Sequence, residues 1–77
     1  MKHTLLKGID PRDNKPSFWI KRESNSGDID IAFLSGNSFL SEKHLITAVK
    51  AWCTRYLYQP AFTLPFSIDD FEVIAEW

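Results

Sequence analysis

One cysteine, Cys53, in a chain of 77 residues excludes an internal disulfide. The two histidines, His3 and His44, stand far apart in sequence and form no Cys/His cluster of zinc-ligand spacing. No apolar run approaches the ~18 residues that a membrane-spanning helix requires. The opening Met1-Lys2-His3-Thr4-Leu5-Leu6-Lys7-Gly8 is too briefly apolar to serve as a secretory signal. An excess of charge is missing as well, since nine Lys+Arg against ten Asp+Glu leave a net charge of −1. That balance excludes both a generic polybasic binder and a strongly acidic mimic of nucleic acid. There is no internal repeat and no low-complexity run. An unpaired thiol without export or membrane signals predicts a cytoplasmic protein, and the start at Met1 reads as a complete gene product.

What is present is ordinary globular material, 44% hydrophobic and 25% charged. The length fits one domain over residues 1–77. Such a domain buries only roughly 60% of the surface its unfolded chain exposes. Without metal or disulfide it holds about 3–5 kcal/mol of net stability. Packing must supply all of that. Aromatic side chains are the means, each burying roughly 150–250 Å².

Residues 3–9 have strand character and end before Asp10-Pro11. The stretch Asp10-Pro11-Arg12-Asp13-Asn14-Lys15-Pro16 reads as a turn or short loop, because proline fixes φ and Asp and Asn satisfy local backbone groups. Ser17-Phe18-Trp19-Ile20-Lys21-Arg22 is a strand, with Phe18 and Ile20 on one face and Trp19 and Lys21 on the other. Glu23-Ser24-Asn25-Ser26-Gly27-Asp28 turns the chain. Ile29-Asp30-Ile31-Ala32-Phe33-Leu34 completes a hairpin with 17–22. Ser35-Gly36-Asn37-Ser38 then breaks the strand.

A helix follows. Ser41 is a good N-cap, Glu42 suits the first turn, and Leu40 and Leu45 have the spacing of a hydrophobic staple. Leu45, Ile46, Val49, Trp52, Cys53, Tyr56 and Leu57 draw one apolar stripe at helical spacing, with Lys43, Thr47, Lys50 and Thr54 opposite. The helix is expected to run to about Tyr58, since Pro60 biases Gln59 away from the α region. Residues 60–66 are extended and apolar. Residues 67–77 fit either of two patterns. As a strand, Phe71, Val73, Ala75 and Trp77 share one face with Glu72 and Glu76 opposite; as a helix, Ser67 caps and Ile68, Phe71, Ile74 and Ala75 share a face. Their β-branched and aromatic content favours the strand. The predicted architecture is α+β, a small antiparallel sheet packed on one amphipathic helix, in the order β-β-β-α-β.

Chemistry-bearing patterns are sparse. Nine residues of helix separate His44 from Cys53, about half a revolution apart at 100° per residue, so they cannot form a dyad. A thiol within an apolar stripe is inert core. Asp70, Glu72 and Glu76, spaced along one strand face, do not make the cage that a hard cation needs. The 35–38 loop lacks the spacing and lysine of a phosphate-binding loop. No cofactor and no enzymatic activity is expected.

Charge is unevenly distributed. Residues 1–22 carry a net +4, 23–41 a net −3, 42–58 a net +2 and 59–77 a net −4. Pairing between neighbouring strands, Lys21 with Asp30 for example, accounts for much of this at about 0.2–1 kcal/mol per pair. The apolar residues Phe62, Leu64 and Phe66 between Pro60 and Pro65 either cap the open side of the sheet or present a binding surface. The leading functional expectation is a non-enzymatic module that binds another protein through Trp19, Lys21, Arg22, Phe62, Phe66 and Trp77. Asp69, Asp70, Glu72 and Glu76 would act as steering charges. Small size without chemistry suits a stoichiometric inhibitor, an immunity factor or a phage-type accessory protein, and a second copy of the chain is another occupant for the same surface. The alternative is a nucleic-acid-binding accessory protein that uses the basic residues 2–22, with Trp19 as a stacking platform.

Overall fold

The first two strands are long because their turn is well determined. In the computed structural model, which describes residues 1–34 and 41–77, β1 spans Lys2–Asp10 and β2 spans Lys15–Glu23. They pair antiparallel along their full length, Lys2 opposite Glu23 and Asp10 opposite Lys15. Between them the amide of Asn14 donates to the carbonyl of Asp10 (2.7 Å), with Asn14 at φ 58°. Asparagine is among the few side chains that tolerate this left-handed region. β3 (Ile29–Leu34) pairs with β2 across the Ser24–Asp28 turn, where Gly27 adopts φ 90°.

Two further strands complete a five-stranded antiparallel sheet in the order β4-β3-β2-β1-β5. β4 is only Gln59–Pro60, paired with Ile31 and Asp30; β5 is Glu72–Glu76, paired with β1. The expected α+β class holds. Among the described residues the sheet has five strands where four were anticipated, and the order gains a strand after the helix.

Period-two alternation gives the sheet two faces, and each carries a buried cluster. On one face Leu5, Ile20, Ala32 and Leu34 pack against Leu45, Val49 and Cys53. Each large aliphatic side chain so buried stabilises the fold by roughly 1.5–3 kcal/mol. The helix α1 runs over Glu42–Trp52, and Ser41 caps it as expected, its Oγ accepting from the amide of His44 (3.3 Å). Leu40 and the 35–38 loop lie outside the described residues.

The helix stops six residues earlier than anticipated. A 3-10 turn follows at Cys53–Arg55, and Tyr56 is extended. The Tyr58 hydroxyl donates to the carbonyl of Cys53 (2.7 Å), supplying a helix-end acceptor with a partner. The Arg22 guanidinium lies 3.8 Å from the centre of the Tyr58 ring. A helix continued to Tyr58 would forgo both contacts. Of the expected stripe, Cys53 and Tyr56 still pack into the helix-side cluster, whereas Leu57 is 94% exposed and Trp52 half-exposed.

On the opposite face Leu6, Trp19, Ile31 and Ile68 form a second cluster, covered by Ala61, Leu64, Phe66 and Phe71. Residues 61–71 thus close the side away from the helix. The molecule is a sandwich of helix, sheet and irregular cover.

β5 departs from simple alternation. Its register against β1 shifts between Leu5 and Leu6: Ala75 faces Leu5, but Val73 faces Leu6 and Glu72 faces Lys7. Ile74 is the extra residue of a β-bulge. Ala75 and Trp77 therefore join the helix-side cluster, whereas Phe71 joins the other. The expected single face for Phe71, Val73, Ala75 and Trp77 is corrected, and Glu72 and Glu76 likewise fall on opposite faces.

Candidate interaction site

The side chains expected to act together are distributed over three regions. Trp19, anticipated as an exposed anchor, is 1% exposed. Its Nε1 donates to Ser17 Oγ (2.9 Å), and Ser17 Oγ donates to the carbonyl of Gly8 (3.2 Å), so the indole is buried with its polar atom satisfied. Phe33 and Phe66 meet it edge-on, with centroids 5.0 and 5.8 Å away. The cover formed by residues 61–71 buries the face that the sequence assigned to solvent. Phe66 is half-buried in that cover.

Arg12 completes the same corner. Its guanidinium lies 5.4–6.0 Å from the rings of Trp19, Phe33 and Phe66. It grips Asp10 through Nη2 to Oδ2 (2.7 Å) and Nε to Oδ1 (3.0 Å). Those hydrogen bonds hold the Asp10 carboxyl below its ordinary pKa, against the opposing effect of burial. This arrangement is a cation bound by the protein's own aromatic rings.

Lys21 does not reach Asp30. The register sets Lys21 opposite Ile31 and Arg22 opposite Asp30, and Arg22 makes the ion pair (Nη2 to Oδ2, 3.1 Å). Arg22 is thereby committed to Asp30 and Tyr58. Burial foremost raises the Tyr58 hydroxyl pKa to about 12, with Cys53 nearby adding to it. Trp77 is half-buried on the helix side, stacked on His3 (centroids 5.4 Å, planes 8° apart) with Lys50 Nζ 5.6 Å from its ring centre. Cys53 is buried in the helix-side core and His44 is exposed on α1.

Comparison with protein-family models, curated proteins and solved structures returns no match. The local geometry is therefore the guide.

Phe62 alone among the expected aromatic contacts projects fully, at 87% exposure. Its position follows from how β4 ends. Continuing the β3–β4 register beyond Pro60 would set Phe62 opposite Asp28, but the chain leaves the ladder into a 3-10 turn at Ala61–Thr63. The gap this leaves is an open cleft of about 320 Å³ lined by Asp28, Ile29, Asp30, Pro60 and Phe62. Ile29 is itself exposed. The sequence reading identified Phe62 but missed Asp28, Ile29, Asp30 and Pro60, because strand-edge neighbours depend on a pairing between residues thirty apart.

Asp69, Asp70, Glu72 and Glu76 are all exposed; Glu72 and Glu76 lie on β5 at the opposite edge of the sheet, and Asp69 and Asp70 follow Ile68 in the cover. Four strand spacings of about 4.8 Å put Glu72 and Glu76 roughly 19 Å from β4 and the cleft. That is over twice the Debye length of about 8 Å at physiological salt, so Glu72 and Glu76 do not join Phe62 in one contact. The β5 edge itself is short, bulged and flanked by two glutamates, features that oppose addition of another strand.

Proposed function

We propose that the protein is a non-enzymatic interaction module that binds another protein at the β3–β4 corner, with Phe62 as its anchor. The observation that carries this is an aromatic ring left 87% exposed beside a cleft, in a domain that buries a cluster on each face of its sheet. Burying a phenylalanine on association is worth roughly 1.5–3 kcal/mol, in the range of an interface hot spot. Trp19 and Arg22 support the fold, Phe66 and Trp77 are half-buried against the protein's own rings, and Lys21 stands opposite Ile31 on the face that carries Ile29. The carboxylates of Asp69, Asp70, Glu72 and Glu76 favour approach of a basic partner at low salt. A cytoplasmic inhibitor or accessory protein is the setting that size and the lone thiol suit.

A nucleic-acid role receives less support. Four cations of residues 2–22 already face carboxylates: Lys2 with Glu76, Lys7 with Glu42, Arg12 with Asp10 and Arg22 with Asp30. Trp19 is not available for base stacking.

The test is a photo-crosslinking amino acid placed at position 62 in the native cell. A single defined protein adduct from position 62, absent from a crosslinker at Thr47 on the helix surface, supports the reading. Identical adducts from both positions, or none from position 62, overturn it.

A further inference from the structure

The protein twice holds a guanidinium between a carboxylate and aromatic rings. Arg12 lies among Trp19, Phe33 and Phe66 with Asp10; Arg22 lies over Tyr58 with Asp30. The β3–β4 cleft offers the same ingredients, a ring and carboxylates, and of its two carboxylates only Asp30 has a cation, Arg22. Phe62 and Asp28 are exposed across it, and among the described residues Asp28 has no cationic partner. Its carboxylate accepts from Ser26 Oγ (3.1 Å) and its amide donates to Ser24 Oγ (3.1 Å), so the turn fixes where the aspartate stands. Pro60 and Ile29 add apolar surface beside it.

We infer that this cleft receives an arginine side chain of the protein partner. The inference rests on the interaction reading above and names the chemistry of its contact. The volume of about 320 Å³ lies at the lower limit of small-molecule pockets, a size suited to one long side chain. An arginine supplies an apolar stem for Pro60, Ile29 and Phe62 and a planar cation for the ring and Asp28. Asp30 contributes field more than contact, since Arg22 already engages its Oδ2 (3.1 Å). A lysine would provide charge without the stacking plane and binds more weakly.

The experiment is an NMR titration of the intact 15N-labelled protein with N-acetyl-arginine amide. The neutral isostere N-acetyl-citrulline amide and N-acetyl-lysine amide are run in parallel. Saturable shifts confined to residues 28–31 and 59–63, at millimolar ligand, are expected with arginine. Citrulline should give no saturable shift, and lysine should bind at least threefold more weakly. D28N and F62A, both at exposed positions that leave the core intact, should each weaken arginine binding at least fivefold. Equal shifts from arginine and citrulline, shifts centred elsewhere, or binding unaffected by D28N would overturn the inference. Crosslinking at position 62 without arginine binding would remove the arginine assignment and leave the interaction reading standing.

Discussion

Adding one methyl group at Gly8 tests the register that organises half of the sheet. An ideal Cβ built on Gly8 falls 2.5 Å from both Cγ and Cδ1 of Phe71 and 2.8 Å from Cε1. These atoms lie at the root of the ring, so the whole side chain must move. Overpacking of this kind costs about 1–3 kcal/mol. Replacing glycine where φ is ordinary returns about 0.4–1 kcal/mol through the unfolded chain. G8A should therefore lose roughly 1–2 kcal/mol net, a fall in Tm of about 4–16 °C for a domain of this size. With Phe71 cut to alanine the obstruction disappears, and adding G8A to F71A should be neutral or stabilising by up to about 1 kcal/mol. Urea unfolding of the four proteins then gives a coupling of at least about 1 kcal/mol. Unbulged alternation along β5 would instead set Phe71 beside Ala75 and Trp77 on the helix side, out of reach of Gly8. Additive effects, with G8A stabilising in both backgrounds, would refute the bulge at Ile74 and the cover built on it.

W19A removes the centre of the second cluster at about 3–5 kcal/mol, comparable to the whole stability of such a domain. It should be unfolded by circular dichroism at 25 °C, whereas F62A should stay within about 0.5 kcal/mol of the parent; a folded W19A would show that residues 61–71 do not cover the sheet. Asp10, held below its ordinary pKa chiefly by hydrogen bonds from Arg12, contributes stability above the unfolded carboxyl value near about 3.9 and loses it as pH falls through the lower native value. Urea midpoints measured downward from pH 5 should fall less steeply in D10N than in the parent, and parallel curves would count against the Arg12–Asp10 grip. Tyr58, raised to about 12 by burial first, contributes stability that is complete below pH 10 and is lost as pH climbs toward 12. Y58F should flatten that alkaline decline and remove the latest-titrating phenolate from the absorbance at 295 nm, and an unchanged titration would place the hydroxyl in water.

Local physics explains what was legible. Ser41 caps the helix because a hydroxyl before Glu42 has an unpaired amide three residues on to satisfy. The 17–22 and 29–34 hairpin follows from alternation and the turn at Gly27. What escaped was decided by distant partners. The faces of β2 were read correctly as Phe18 and Ile20 against Trp19 and Lys21, yet a period-two pattern does not say how many faces are covered. Residues 61–71 return over the second face and, with Phe33 and Arg12, bury Trp19. The bulge at Ile74 has no turn residue or glycine to mark it, and a single inserted residue reverses every assignment beyond it. Helix propensity overran at the C-terminus because Tyr58 finds the Cys53 carbonyl and Arg22 only once the sheet exists. Of the candidate site, Phe62 was visible as an apolar residue beside a proline. The carboxylates opposite it were not.

Exposure alone does not mark a contact, and the comparison of Leu57 with Phe62 shows why. Leu57 is the more exposed of the two, at 94% against 87%. Isolated apolar side chains are common on protein surfaces, and Leu57 follows directly from the early end of the helix. Phe62 differs in its surroundings. It belongs to a turn whose neighbours Ala61 and Leu64 pack against the second cluster, so its ring is carried outward on a support anchored to the core. A ring on such a support loses little freedom when a partner covers it, and low ordering cost is what lets a small area bind. Shielding the same ring within the fold would require Ala61 and Leu64 to leave the cluster that buries Trp19. The geometry that completes the sheet's second face is thus the geometry that keeps Phe62 in water beside Asp28.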